Sequence, residues 1–316
     1  MKHPGPKTIF GRASKQQRRQ RRKNIDLEEA SLSTQTRSRY YLALRLLLPI
    51  LQKVDKLGEL DEKICGWIHR MWRSGEPLLT VGDALSALHF FQPYTKRQIP
   101  HSWKLFATWR RVEVPARAPP LTQQLVRSLA AYELSLDNIE MATCLILAFH
   151  ALLRTGEMLQ ATCADCLIKG DAGLIRLAST KTSKRFAADD ALALKDPICL
   201  MLLQSLMTIR KTQRLTHLSL WSGTPQAFRT RFNRLCQIFG LQAFGFRPYS
   251  LRRGGATALF QRSGSMEQTL IRGRWQNSRV ARIYITDGLS YIPRLRPNPT
   301  MLSMTAKFFF INPQEG

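Results

Sequence analysis

The sequence predicts a mainly α-helical protein of two domains with one small antiparallel β-sheet. Three observations carry this expectation. Apolar residues recur at helical spacing along most of the chain, β-rich character is confined to one short patch, and a proline-rich spacer separates a smaller N-terminal half from a larger C-terminal one. A length of 316 residues with 44% hydrophobic content suffices for two ordinary cores.

Residues 1–30 read as a disordered basic arm. The first 24 hold nine Lys or Arg and no acid, ending in Arg18-Arg19-Gln20-Arg21-Arg22-Lys23, and show no apolar period. Such a run suits contact with nucleic-acid phosphates, nuclear import if the source is eukaryotic, or plain solvation, and the sequence leaves all three open. Residues 31–113 read as a helical domain with apolar periodicity through Tyr40–Val54, Ile64–Trp72, Val81–Phe91 and Trp103–Trp109. Four helices are expected, with Arg37, Arg39, Lys53, Arg70, Arg73, Lys96, Arg97, Arg110 and Arg111 on their polar faces. That surface would suit a module lying across a duplex, or a solvated bundle face.

The segment Val112–Leu121 contains three prolines, which cannot continue a helix, so residues 114–120 are assigned as the linker. Residues 121–290 form the expected catalytic domain. Its helices are expected at Thr122–Glu133, Ile139–Leu153, Pro197–Arg210, Gln226–Phe239 and Ser250–Gln261, then from Met266 to Ile285 with interruptions. Strands are expected at Cys166–Lys169 and Leu174–Ala178, followed by a turn at Ser179–Lys184. Residues 291–316 are a tail whose Phe308-Phe309-Phe310 could dock on a neighbouring copy.

A net charge of +26 and a pI near 10.6 disfavour an enzyme for small neutral metabolites and point to a polyanion, because clustered Lys and Arg displace counterions from nucleic acid. An anionic membrane surface is the competing partner. No run of about 18 apolar residues and no signal-peptide core occurs, so the reading is a soluble, intracellular protein with no membrane partner. The six cysteines are scattered, and Cys163-Ala-Asp-Cys166 lacks the second ligand pair of a structural zinc site, so a core or turn role is expected and no metal is assigned.

Five pieces of the larger domain supply, in order, what phosphodiester cleavage needs. Arg154 closes a run of apolar residues (Leu145, Ile146, Leu147, Leu152, Leu153), so its charge should meet a partner in a cleft, and Glu157 lies three residues on, within reach to orient a cation. Lys181, in Thr180-Lys-Thr-Ser-Lys-Arg185, would sit at a hairpin tip, as a mobile proton donor or a solvated turn residue. In Arg247-Pro-Tyr-Ser-Leu-Arg-Arg-Gly-Gly-Ala-Thr257, Ser250 is the expected N-cap, which places Tyr249 and Arg252 beside a helix N-terminus able to receive a phosphate. Of Arg252 and Arg253, Arg252 is the one assigned to it. Adjacent glycines in a helix cost about 1 kcal/mol each relative to Ala, so close approach of another backbone or a ligand is expected there. Trp275 and Tyr284 stand nine residues apart, on opposite faces of a continuous helix, but Gln276-Asn277-Ser278 would restart the helix at Arg279 and let both face one site. Alone, each would better suit a core aromatic.

The ordered set Arg154, Lys181, Tyr249-x-x-Arg252, Trp275 and Tyr284 resembles the catalytic constellation of tyrosine recombinases, which include phage integrases and recombinases of some eukaryotic mobile elements. The likeness spans about residues 120–290, and Ser250–Thr257 with the Trp-to-Tyr spacing are its most specific parts. The helical domain matches the family's core-binding domain only in length, position and helical character. The resemblance implies that Tyr284 attacks a DNA phosphate to form a 3′-phosphotyrosyl bond, that Arg154 and Arg252 hold non-bridging oxygens, and that Lys181, or less favourably Lys184, protonates the leaving 5′-oxygen. It also implies that Glu157 fills the family's acidic position, that Trp275 packs at the phosphate, and that no cofactor, ATP or metal takes part. The implied partners are double-stranded DNA and three further copies in a tetramer on two duplexes. One departure stands at Tyr249, where the family most often has His: a phenol titrates near 10 and is a poor base at neutral pH. A type IB topoisomerase-like enzyme and a catalytically inactive, recombinase-derived DNA-binding protein are the alternatives. An RNA-binding protein is disfavoured, since no aromatic stacking motif appears.

Overall fold

The structure is a computed structural model that describes residues 31–53, 58–114, 117–177, 190–291 and 295–309. The chain divides into two units, Met1–Ala116 and Arg117–Gly316. The basic arm falls outside the described residues.

In the first unit, α1 (Thr34–Arg45), α2 (Leu48–Leu51), α3 (Glu59–Arg73), α4 (Leu78–Phe91) and α5 (Pro100–Val112) enclose a core of Leu47, Ile64, Trp67, Leu85, Leu88, Ile99 and Trp109. The helix expected at Tyr40–Val54 is two: α1 begins earlier, capped by Ser33, and the chain breaks before α2 because Pro49 has no N–H for the ladder. Two helices are tied together by a buried carboxylate. Asp61 of α3 accepts from His101 N (2.9 Å), Ser102 N (2.8 Å) and Ser102 Oγ (2.6 Å), so it caps α5 from outside that helix. Burial alone would raise its pKa, but the bonds from Ser102 and His101 outweigh burial and lower it. A depressed carboxylate stabilises the fold above its unfolded pKa of about 3.9, and that contribution disappears as pH falls through the lower folded value. Asp61→Ala is expected to destabilise this unit by about 2 kcal/mol, read by calorimetry of the full chain, and an unchanged melting profile would remove the capping role.

The second unit begins with α6 (Gln123–Leu134), α7 (Ile139–His150) and α8 (Thr155–Gln160). Antiparallel strands β1 (Cys166–Lys169), β2 (Ala172–Leu177) and β3 (Asp190–Leu194) follow in that spatial order, with Cys166 opposite Ile175 and Ile175 opposite Leu192. Then come α9 (Pro197–Thr212), α10 (Pro225–Ile238), α11 (Tyr249–Ser263), α12 (Met266–Gly273), α13 (Ser278–Tyr291) and α14 (Pro299–Phe309). Caps set the starts: Thr122, Asn138, Asp196, Thr224 and Ser265 each accept a first-turn N–H of the helix that follows. Cys163 and Cys166 are buried free thiols, and among the described residues no group of His, Cys, Asp and Glu is placed to hold a metal. No helix among them is long and apolar enough to cross a membrane.

Three expectations are corrected. The helix of the Arg-Pro-Tyr-Ser segment starts at Tyr249, so Ser250 lies inside it and its hydroxyl accepts from Arg247 N–H at 3.0 Å rather than capping. The second strand runs Ala172–Leu177, and a third strand, unassigned from sequence, completes the sheet. The tail docks on its own chain. Met301 and Phe309 of α14 are buried with Leu295 in the core of this unit, and Thr305 Oγ1 shares a 3.0 Å hydrogen bond with Ser128 of α6. Phe310 lies outside the described residues.

Candidate active site

The site is built around α11, whose first turns are fully buried from Ser250 to Thr257. The two glycines allow this. A Cβ on Gly254 would stand 1.8 Å from the Leu121 carbonyl oxygen, and one on Gly255 would stand 2.0 Å from that of Phe149. Neighbouring backbone therefore occupies the space that a side chain would need, which is the first of the two expected causes.

This packing brings Arg252 against the loop after α7. Arg252 is fully buried, with Nη1 donating to the Leu152 carbonyl at 2.7 Å and Nη2 to the Gly273 carbonyl. Its guanidinium lies 4.8 Å from the centre of the Trp275 ring. Leu152 is a non-glycine residue at φ 48°, a left-handed conformation costing about 1–2 kcal/mol, and it turns its carbonyl inwards. Two guanidinium groups use that oxygen, since Arg274 Nη2 also donates to it at 3.2 Å.

Arg154 is placed at the mouth, its side chain 30% exposed, as the residue preceding α8. Glu157, 7% exposed, accepts from the Arg154 backbone N–H at 2.8 Å, from the Arg154 guanidinium, and from Arg274 Nη2 at 2.9 Å. Burial alone would raise its pKa, yet Arg274 and Arg154 outweigh it and hold the carboxyl below its ordinary value. Arg252 moves the other way. Burial, with Arg154 and Arg274 close by, lowers its pKa to about 10, so it stays protonated at neutral pH in a place short of negative charge. Three guanidinium groups share one carboxylate, and Arg252 Nε, Arg274 Nε and Arg274 Nη1 are sealed from solvent with no partner. Buried orphan donors of this kind normally mark a missing acceptor.

The aromatic residues close the other side. The helix restarts at Ser278, with Asn277 Oδ1 accepting from Arg279 N–H at 2.7 Å, and the expected change of direction brings Trp275 and Tyr284 together at 5.4 Å between ring centres. Tyr284 and Tyr249 share a 2.7 Å hydrogen bond through their hydroxyls. Burial and that bond raise the Tyr284 pKa above the ordinary phenol value, although Arg252 and Arg253 pull against them. Arg253 lies 4.9 Å from the Tyr284 ring and donates to the Ala118 carbonyl. Gly288 of α13 has no room for a Cβ beside Thr257, whose hydroxyl donates to the Tyr284 carbonyl at 3.3 Å, so α13 is seated directly on α11.

Of the residues singled out from sequence, Arg154, Glu157, Tyr249, Arg252, Trp275 and Tyr284 thus converge. Lys181, like Lys184, lies outside the described residues, in the segment joining β2 to β3. Arg274 was given no role from sequence: it adjoins Trp275, and no spacing rule marks it. Arg253, weighed against Arg252 and set aside, stands beside the Tyr284 ring.

The sequence matches no protein-family model and no curated protein. Solved structures do match. The Tn1549 transposon integrase in complex with transposon right end DNA aligns at TM-score 0.56 and 12% identity over 88% of this chain and 97% of that one. The XerH site-specific recombinase bound to palindromic difH substrate, a post-cleavage complex, aligns at 0.56 and 15% identity over 77% and 72%. A lambda integrase dimer bound to a COC′ core site aligns at 0.52 and 16% identity over 88% and 82%. These likenesses establish the fold: a mainly helical chain with a three-stranded antiparallel sheet, the architecture of site-specific recombinases and integrases.

Proposed function

We propose that this protein is a site-specific DNA recombinase that cuts and rejoins strands through a 3′-phosphotyrosyl intermediate. The observation that carries the reading is the cluster of buried guanidinium groups with orphan donors beside a half-buried phenol: it is prepared for an anion and has a nucleophile at hand. In this mechanism the Tyr284 oxygen bonds to phosphorus while the bond to the 5′-oxygen breaks. The phenolic proton passes to solvent, through Tyr249, and the departing 5′-oxygen takes a proton from Lys181. Arg154 and Arg252 hold the non-bridging oxygens, Glu157 fixes the Arg154 fork, and Trp275 packs against Arg252. The helical unit at residues 31–113 serves as the core-binding domain, lying across the duplex, and four copies act on two sites. One of the fold-related structures is a transposon integrase, which suits a mobile element. Incubation with a nicked suicide duplex tests the reading, and a covalent adduct between protein and the 3′-phosphate is the expected result. Absence of adduct on every duplex carrying the binding site would overturn it.

One observation favours a second reading, a DNA-binding descendant without activity: the phenol raised above its ordinary pKa and bonded to another phenol in place of a base. The two readings separate by pH. A raised nucleophile pKa means less phenolate at any given pH, so single-turnover cleavage should climb steadily from pH 7 to 9. Tyr249→His supplies a base titrating near 6.5 and is expected to accelerate cleavage at pH 7 by about tenfold or more. A plateau in the native profile below pH 8 would contradict the raised pKa.

A further inference from the structure

We infer that Arg274 is a third phosphate-binding arginine of this site, gripping the scissile phosphate beside Arg154 and Arg252 and acting chiefly on the transition state. This rests on the strand-exchange reading above. Three observations lead to it independently.

The first is backbone cost. Arg274 ends α12 in the left-handed conformation, φ 55° and ψ 42°, where glycine fits freely and a side chain costs about 1–2 kcal/mol. An arginine in that position needs an offsetting reason. Its neighbour Gly273 is glycine for a separate one, since the Trp275 ring folds back over it and a Cβ would stand 2.0 Å from a ring carbon.

The second is hydrogen bonding. The Arg274 side chain is 7% exposed, and all its bonds leave from one nitrogen, Nη2, to Glu157 and to the Leu152 carbonyl. Nε and Nη1 are buried without a partner. A structural arginine of this burial would have those donors satisfied, because an unmet buried donor costs about 1–3 kcal/mol.

The third is charge. Glu157 is the single carboxylate paired with Arg154, Arg252 and Arg274 among the described residues. Two positive charges are left over. A phosphodiester carries one negative charge, and the five-coordinate phosphorus formed as the tyrosine oxygen arrives and before the 5′-oxygen departs carries a second. The surplus therefore matches the transition state better than the ground state, which makes Arg274 a determinant of rate more than of affinity. It also supplies positive charge at a site where position 249 carries a phenol and no imidazolium.

Arg274→Gly is the informative variant, since glycine relieves the backbone and should melt no lower than the native chain. With saturating suicide duplex, single-turnover cleavage is expected to fall about 100-fold while the duplex Kd changes less than about threefold. Replacing the scissile phosphate with a neutral methylphosphonate removes one charge from both states, so the defect of Arg274→Gly should shrink to about tenfold or less on that substrate. A merely structural role would give equal defects on both substrates, and that outcome, or a native rate on the phosphate, overturns the inference. Should Arg274→Gly melt well below the native protein, Arg274→Lys carries the test: it keeps the charge without the fork, a loss of about tenfold is expected, and a native rate refutes the role. The two layers stay distinguishable. If the native protein forms no adduct dependent on Tyr284, both fall; if it does and Arg274→Gly cleaves normally, only the third arginine falls.

Discussion

Tyr284→Phe is expected to abolish the covalent adduct altogether, a loss of at least about 10⁴-fold, while leaving duplex affinity and fold nearly unchanged. The change removes one oxygen atom, and the ring contacts with Trp275 and Arg253 persist. The structural cost is one hydrogen bond to Tyr249, about 1 kcal/mol, and the partly exposed Tyr249 hydroxyl can turn to water instead. EDTA is expected to leave native cleavage intact, because every role in the proposed mechanism is filled by a side chain. Adduct surviving in Tyr284→Phe would move the nucleophile elsewhere, and Tyr249 would be the first place to look. Binding that collapses along with cleavage would instead point to a damaged fold.

Gly254→Ala is expected to be the most destabilising single-methyl change in the second unit, at about 3 kcal/mol or more, lowering the melting temperature of that unit by roughly 10 °C. The new methyl would collide with the Leu121 backbone, which cannot rotate aside as a side chain can. Relief requires moving α11 itself, and with it Arg252 and Tyr249, so cleavage should fall even where the chain still folds. Gly156 is the control. Nothing lies within 4 Å of a Cβ there, and Gly156→Ala should stay within about 1 kcal/mol of the native stability. Equal effects from the two substitutions, measured by calorimetry, would show that close backbone approach is not what holds Gly254.

Much of this site is legible in the chain because its logic is local. Arg154 and Glu157 sit one helical turn apart, so their pairing follows from spacing, and the Gln276-Asn277-Ser278 break announces the change of direction that unites Trp275 with Tyr284. The paired glycines of α11 announce a close approach, although only the fold identifies Leu121 and Phe149 as what approaches. Other features depend on tertiary context. After Asp190, β3 is made of Ala and Leu, which prefer helices, and it becomes a strand because β2 offers an edge and the inward Leu192 and Leu194 reach the core. Arg274 carries no local mark, since a left-handed arginine and a helical one are written with the same letter. Ser250 looks like a cap, and the Arg247 amide claims its hydroxyl first.

The strained turn at Leu152 has a consequence for anyone who maps this protein by mutagenesis. Two guanidinium groups lean on a peptide oxygen, and no codon change can delete it. An alanine scan would score Leu152 as one more apolar contact, while the working atom stays in place whatever residue follows the α-carbon. Chemical synthesis reaches it: replacing the amide that follows Leu152 by an ester weakens that oxygen as an acceptor and should loosen both arginines at once.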